Sequence, residues 1–257
     1  MEKLPAAPKS EQTPLLGDDY VTIDIPNKED HHGSSFNIFG QSAGWGDWTA
    51  VDDRVRGGSS QSHLTHYADS KSVLFHGLLD ITTLGGAGFA SQVSQRSDWD
   101  LSGYEAIRIG ILPEQSDNKT YTLVLKDALP GRRPDGRLEA STSWECMFKA
   151  PKPSQGKVQY VTLRLKDFKA TYRGRKIDDR PPLKVEAIKQ ISLMMRSNFG
   201  KQEGHFRLGI ASMSAHTKED VPAEMTVLVE AIVRVGLTAL AMWMIWYSWQ
   251  SLVLPEE

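Results

Sequence analysis

The chain has 257 residues and a formal net charge of −2, a balance that indicates neither a nucleic-acid partner nor a strongly acidic one. Apolar residues account for 40% and charged residues for 24%, as in ordinary globular proteins. The single cysteine, Cys146, excludes an intramolecular disulfide and a thiolate cluster for zinc or iron–sulfur, and it favours a reducing compartment.

Residues 1–34 are predicted to form a disordered acidic and polar tail, because they offer few large apolar side chains to bury. The tail has neither the apolar run of a secretory signal peptide nor the Arg-rich composition of a standard mitochondrial presequence. Residues 11–16 (EQTPLL) have the form of an acidic-dileucine sorting signal. Residues 29–32 (EDHH) are metal-ligand types, but no further ligand follows at a fixed spacing, so a solvated loop is the simpler interpretation.

Residues 35–216 are predicted to form an all-β domain. Short alternating runs are separated by turn residues, and in one of them Tyr121, Leu123 and Leu125 would share a face. Many short strands punctuated in this way predict a jelly-roll β-sandwich of about 180 residues. The predicted strands are 36–39, 48–51, 60–67, 73–79, 88–93, 106–111, 121–126, 143–148, 158–165, 188–195 and 205–211.

Most candidate binding residues lie in the stretch 48–62, WTAVDDRVRGGSSQS, which has the pattern of a strand end, a charged turn and a second strand. The paired glycines mark a positive φ or the close approach of another segment. Adjacent acids on a strand would point to opposite faces, a poor geometry for a shared proton. A structural turn, a partner surface and a catalytic acid pair remain open. The candidates are Trp48, Asp52, Asp53, Arg54, Arg56, Gly57, Gly58 and Ser59.

A basic run follows the predicted strand 158–165, and it contributes Arg173 and Arg175 as further partner-binding candidates. It would suit an acidic partner surface, lipid headgroups or RNA, whereas the simpler interpretation is a solvated loop. Cys146 lies within an alternating apolar strand, which predicts a buried, unreactive thiol.

Residues 217–257 are predicted to form a linker and a membrane anchor. The 20 residues 235–254 carry no charge, and as a helix they would span about 30 Å, the thickness of a bilayer's hydrocarbon core. Cations on the domain side and acids at the far end would keep the domain in the matrix or cytosol. The alternative is an apolar helix packed on the sandwich or on a partner. The anchor residues are Arg234, Trp243, Trp246, Tyr247 and Trp249.

Several of these motifs, in their order along the chain, resemble the complex I intermediate-associated protein 30 family. The stretch 48–62 is similar to that family's opening W…D…GG.S.S pattern. The resemblance covers roughly residues 36–214. Its other segments are 75–77 (FHG), 85–91 (GGAGFAS), 100–104 (DLSGY), 121–125 (YTLVL), Trp144, 161–163 (VTL) with Phe168, and 206–210 (FRLGI).

The resemblance implies a galactose-binding-like jelly roll in a non-enzymatic chaperone of mitochondrial complex I assembly. Its implied partners are complex I subunits, other assembly factors and, through the C-terminal helix, the inner membrane, with the domain in the matrix. No cofactor, metal or nucleic acid is expected. One alternative is a tail-anchored, cytosol-facing module that binds a glycan, a lipid headgroup or a sorting partner. The other is an enzyme that uses Asp52, Asp53 and Arg54 beside a cleft.

Overall fold

The alternating runs of the sequence become strands in the computed structural model, which describes residues 35–67, 71–132, 134 and 139–217. Within these residues there is no α-helix, and the only helical elements are short 3₁₀ turns. The strands are β1 Ser35–Gly40, β2 Trp48–Ala50, β3 Gln61–His66, β4 Val73–Leu79, β5 Phe89–Ser94, β6 Ala106–Leu112, β7 Thr120–Lys126, β8 Thr142–Lys149, β9 Gln159–Arg164, β10 Lys169–Tyr172, β11 Arg175–Lys176, β12 Gln190–Arg196 and β13 Gly204–His216.

Two antiparallel sheets contain these strands. One has the order β3-β4-β13-β6-β9, with β1 paired to the second half of β13. The other has the order β11-β10-β8-β7-β12-β5-β2. Since consecutive strands often belong to different sheets, the chain crosses repeatedly between the two layers. The predicted all-β sandwich is confirmed.

The core lies between the two sheets and is built from one face of each strand. On β7, Tyr121, Leu123 and Leu125 are all fully buried, as their alternation predicts. The Phe75 ring of the opposite sheet lies 6.1 Å from the Tyr121 ring and 5.1 Å from that of Phe206. Burial of these large apolar side chains supplies the main driving force for closing the sandwich.

The basic run after β9 differs from its predicted solvated loop, because part of it forms the β10–β11 hairpin. Tyr172 pairs with Arg175 across a two-residue turn. Both turn residues have positive φ, 52° for Arg173 and 76° for Gly174, which is the backbone that a tight hairpin between twisted strands requires. The Arg-Gly dipeptide was the available signal for this turn, and its neighbours lack the apolar alternation that identified the other strands.

The end of β13 also differs from the prediction, since the strand continues from residue 211 to His216. Its pairing with β6 is irregular between Ile210 and Ser212, and beyond this point β13 pairs with β1 as well. An extra residue at such a bulge allows a strand to bend without ending.

The predicted tail, residues 1–34, lies outside the described residues, as does the predicted linker and anchor segment 217–257 apart from Thr217. The apolar stretch 235–254 is therefore also outside them. In the described part of the chain, no helix has the length and apolar character needed to cross a membrane.

Gly77 on β4 provides a test of the sheet packing. A Cβ atom at this position would lie 1.9 Å from the Gln61 carbonyl oxygen of β3, whereas one at Gly103 would meet nothing within 4 Å. We expect Gly77→Ala to lower the free energy of unfolding by about 1 to 3 kcal/mol, because a backbone must move. Gly103→Ala should change it by less than about 0.5 kcal/mol. Urea unfolding of both variants measures the difference, and equal midpoints would contradict this packing.

Candidate functional site

Asp52 and Asp53 are buried side chains that follow β2, with 3% and 0% of their surface exposed. Asp53 opens the 3₁₀ turn Asp53–Arg56. The expectation that the two carboxylates point to opposite faces of a strand is wrong. The chain has already left the strand at this point, and both carboxylates bind the same two neighbouring segments.

The Asp53 carboxylate accepts three hydrogen bonds. The Ser60 hydroxyl donates to Oδ2 at 2.6 Å and the Ser60 backbone N–H to Oδ1 at 3.0 Å. The Phe89 backbone N–H donates to Oδ2 at 3.1 Å. Three donors from two segments of the chain fix the position of this carboxylate.

The Asp52 carboxylate repeats this arrangement two residues further along both strands. Its Oδ1 accepts from the Ser62 hydroxyl at 2.6 Å and from the Ser91 backbone N–H at 3.0 Å. Its Oδ2 accepts from the Ser62 backbone N–H and from the Arg54 guanidinium, both at 3.2 Å. Asp52 therefore forms an ion pair with Arg54, although most of its donors are backbone and serine groups.

These contacts join the two layers of the sandwich. Ser60 and Ser62 lie at the start of β3 in one sheet, whereas Phe89 and Ser91 lie on β5 in the other. The repeat of two residues matches the side-chain period of a strand. We name Asp52, Asp53, Ser60, Ser62 and Ser91 the acid clamp.

The two glycines shape the backbone around the acid clamp. Gly57 ends the 3₁₀ turn with φ 84°, a left-handed conformation that favours glycine. At Gly58, a Cβ atom would lie 2.3 Å from the Asp53 carboxyl carbon. One glycine therefore supplies the positive φ and the other the close approach that the sequence pattern indicates.

The clamp presents a charged turn, Arg54–Val55–Arg56, at the surface. Val55 is 74% exposed, and the Arg54 side chain is 57% exposed despite its ion pair with Asp52. The Arg56 guanidinium lies 5.5 Å from the centre of the Phe89 ring. Arginine is among the residues enriched at protein-binding surfaces, so this exposed turn remains a candidate for partner binding.

The remaining candidates of the stretch have mainly structural contacts. The Trp48 indole N–H donates to the Trp45 carbonyl oxygen at 2.7 Å, and its ring lies 5.0 Å from that of Phe39. The exposed Ser59 hydroxyl is 3.1 Å from that of Thr83. Partner binding by these residues remains a prediction.

Arg173 and Arg175 do not join the charged turn. They belong to the β10–β11 hairpin at one edge of the seven-stranded sheet, and β2, which leads into the turn, forms the opposite edge. The Arg173 guanidinium lies over the Tyr172 ring at 5.6 Å. The predicted partner-binding residues therefore form two separate surfaces.

The geometry argues against catalysis by the acid pair, because its oxygens already accept bonds from fixed structural donors. Cys146 is buried, as predicted, and burial raises the pKa of its thiol to about 12, so the nucleophilic thiolate is scarce at neutral pH. Among the described residues, no group of three His, Cys, Asp or Glu side chains is placed to hold a metal. Residues 29–32 lie outside them.

A third buried acid, Glu145, is not among the residues that the sequence pattern indicates. Glu145 of β8 is 4% exposed, and its carboxylate pairs with Arg196 at 2.7 Å and accepts the Thr171 hydroxyl at 2.8 Å. It faces away from the core, since its neighbours Trp144 and Cys146 face inward. The signal in the sequence is an acid within an otherwise apolar strand.

The described residues form a two-layered all-β sandwich in which the adjacent acids Asp52 and Asp53 have structural partners. The chain belongs to the complex I intermediate-associated protein 30 family, whose model matches residues 38–210, and the resemblance seen in the sequence is confirmed. An uncharacterised protein of Schizosaccharomyces pombe, C9E9.15, is 40% identical over 188 residues, which cover 70% of this chain and 84% of that protein.

Solved structures with a similar fold include carbohydrate-binding modules. The family 11 module of the cellulosomal cellulase Lic26A-Cel5E of Clostridium thermocellum is 12% identical, with a TM-score of 0.47 over 73% of this chain and 96% of the module. The agarase AgWH50C is 13% identical, with a TM-score of 0.38 over 72% of this chain and 25% of the agarase.

The acid clamp can be tested by Asp53→Ala. This change removes the acceptor of the Ser60 and Phe89 backbone N–H groups and leaves the Ser60 hydroxyl with only the Asp80 carbonyl oxygen, at 3.3 Å. We therefore expect the free energy of unfolding to fall by about 2 to 5 kcal/mol. Asp179→Ala is the matched control, because Asp179 is exposed, and it should change stability by less than about 0.5 kcal/mol. Urea unfolding measures both, and a neutral Asp53→Ala would show that the clamp does not hold the sheets together.

Proposed function

We propose that this protein is a non-enzymatic, chaperone-like assembly factor for mitochondrial respiratory complex I, which binds subunits and other assembly factors through its charged turn. Membership of the complex I intermediate-associated protein 30 family supports the process. The observation that carries the binding role is the exposed Arg54–Val55–Arg56 turn, held at a fixed position by buried carboxylates.

Rigidity is what makes this turn suitable for binding. A preformed surface loses little conformational entropy when it meets a partner, and here the turn is fixed at both ends by the acid clamp. Val55 offers apolar contact, and the arginines on either side offer charge-assisted hydrogen bonds to carboxylates. The partner surface is therefore expected to combine an apolar pocket with acidic residues.

Residues 235–254 are proposed to tether the protein to the inner membrane, with the sandwich on the matrix side. The support is their length, their lack of charge and the aromatic residues in their second half. Tethering would keep the charged turn near membrane-embedded subunits and so raise its effective concentration at the assembling complex.

A second function, a tail-anchored, cytosol-facing binding module, is favoured by the dileucine-like residues 11–16. The location of the full-length chain separates the two functions. Fluorescence from a tag placed within the exposed 152–156 loop should coincide with mitochondria under the first proposal. A signal at the endoplasmic reticulum, vacuole or plasma membrane would favour the second.

The role of the charged turn can be tested by the double variant Val55→Asp, Arg56→Glu. We expect recovery of complex I subunits with the tagged full-length chain to fall by about tenfold, because an apolar side chain and a cation are both replaced by acids. The matched control is Ala128→Asp, Arg96→Glu, which makes the same charge changes at other exposed positions.

Equal unfolding midpoints in urea would show that neither double variant disturbs the fold. Undiminished recovery with the turn variant, or an equal loss with the control, would contradict binding through this turn.

The tether can be tested by Leu240→Arg, Met244→Arg. Each arginine near the centre of a membrane helix costs about 2.5 to 3.5 kcal/mol, so we expect the full-length chain to move from the membrane pellet to the carbonate-extracted supernatant. Leu240→Val, Met244→Leu keeps the stretch apolar and should remain in the pellet. Retention of the arginine variant in the pellet would show that another part of the chain holds it there.

A further inference from the structure

A row of polar side chains crosses the six-stranded sheet on its outer face, away from the core. Arg108 of β6 lies in register with Ser214 of β13 on one side and with Thr162 of β9 on the other. Ile107 and Ile109, the neighbours of Arg108, are fully buried in the core. Because side chains alternate along a strand, Arg108 and its two cross-strand partners face outward together.

Arg108 is a buried arginine without a counter-charge. Only 9% of its surface is exposed, and its Nε has no hydrogen-bond partner. Its guanidinium makes a cation–π contact with Tyr160, whose ring centre lies 4.1 Å from the guanidinium carbon. A ring contact stabilises a cation much less than hydration does, so the burial of Arg108 remains uncompensated.

The surroundings of Arg108 offer donors and no acid. The sequence of β6, which carries Arg108, contains neither Asp nor Glu, and the same holds for the nearby strands β1, β9 and β13. No ion pair among the described residues includes Arg108. The Thr162 hydroxyl, in a residue only 1% exposed, also has no partner. Two buried polar groups on adjacent strands are therefore left unsatisfied side by side.

We propose that this outer face binds a phosphate group, with the Arg108 guanidinium as its main ligand and the unpartnered Thr162 hydroxyl as a second donor. The Ser214 hydroxyl is already paired with His216 Nε2 at 2.8 Å and completes the polar row without serving as a ligand. An anion would supply both the missing counter-charge and the missing acceptors. This phosphate site belongs to the six-stranded sheet and does not depend on the charged turn or on the proposed assembly function.

The spacing of the donors favours phosphate over a carboxylate. Thr162 lies directly opposite Arg108 on the adjacent strand, about 4.8 Å away. A tetrahedral phosphate presents oxygens in several directions and can accept from the guanidinium and from a neighbouring hydroxyl together, whereas a planar carboxylate pairs with the guanidinium fork alone. The Tyr160 ring covers one face of the guanidinium and leaves its N–H edge for the ligand.

Gly110 keeps space for this arrangement. A Cβ atom there would lie 3.2 Å from Tyr160 Cε1 and 2.7 Å from the Ser212 hydroxyl. The absence of a side chain therefore allows the Tyr160 ring to lie across the sheet toward Arg108.

Thermal unfolding of the full-length chain in rising sodium phosphate, at an ionic strength held constant with sodium chloride, tests the site. We expect the midpoint to rise with phosphate concentration, as for any ligand that binds only the folded state. Arg108→Met should weaken the apparent phosphate affinity at least about tenfold. Thr162→Val, which removes the second donor, should weaken it by about three- to tenfold.

Arg207→Met is the matched control, since Arg207 is an exposed arginine of β13 in the same sheet, and it should keep the wild-type response. Without phosphate, Arg108→Met should be at least as stable as the wild type, because it removes an unpaired buried charge. If Arg108→Met does not fold, Thr162→Val and Arg108→Lys keep the measurement possible, and both should weaken the response.

Glycerol 3-phosphate is compared with inorganic phosphate to identify the source of the group. Equal affinities identify a site for the free ion, and a tenfold tighter binding of glycerol 3-phosphate identifies a phosphate ester such as a lipid headgroup. Three results would each overturn the proposal: an unfolding midpoint that changes with neither probe, an unchanged response in Arg108→Met, or an equal response to sodium acetate.

Discussion

Two adjacent buried carboxylates connect the sheets of this sandwich. Asp53 binds Ser60 and Phe89, and Asp52 binds Ser62 and Ser91, so each acid accepts donors from both layers. A carboxylate buried without partners would be strongly destabilising, whereas one surrounded by backbone N–H and hydroxyl donors fixes the geometry of the segments that supply them. The relative placement of β3 and β5, and with it the closure of this end of the sandwich, depends on these bonds.

The same bonds divide the stretch 48–62 into an interior and a surface. The acids face inward and are fully occupied, and the residues between them and the glycines face outward. Gly58 is part of this division, because a side chain there would displace the Asp53 carboxylate. A charged motif that suggests acid–base chemistry in the sequence therefore becomes a structural support for an exposed turn, which is the part of the stretch left to meet a partner.

Polar burial in this protein is not confined to the acid clamp. The outer face of the seven-stranded sheet holds the paired Glu145 and Arg196, and the outer face of the other sheet holds the unpaired Arg108. The two faces differ in their counter-charges. The first has both charges of an ion pair, whereas the second has only the cation. This difference separates a completed structural contact from a site that we propose to bind a ligand.

The sequence by itself determined the positions of most strands, the core-facing side of those strands and the role of the paired glycines, because alternation and positive φ are local properties of the chain. It also carried the family resemblance. Only the tertiary structure decided which strands became neighbours and therefore where each polar group found a partner. Asp52 and Ser91 are 39 residues apart in the chain, and the polar residues in register with Arg108 come from two other strands. Such contacts depend on the order of the strands in the sheets, which no short-range pattern encodes.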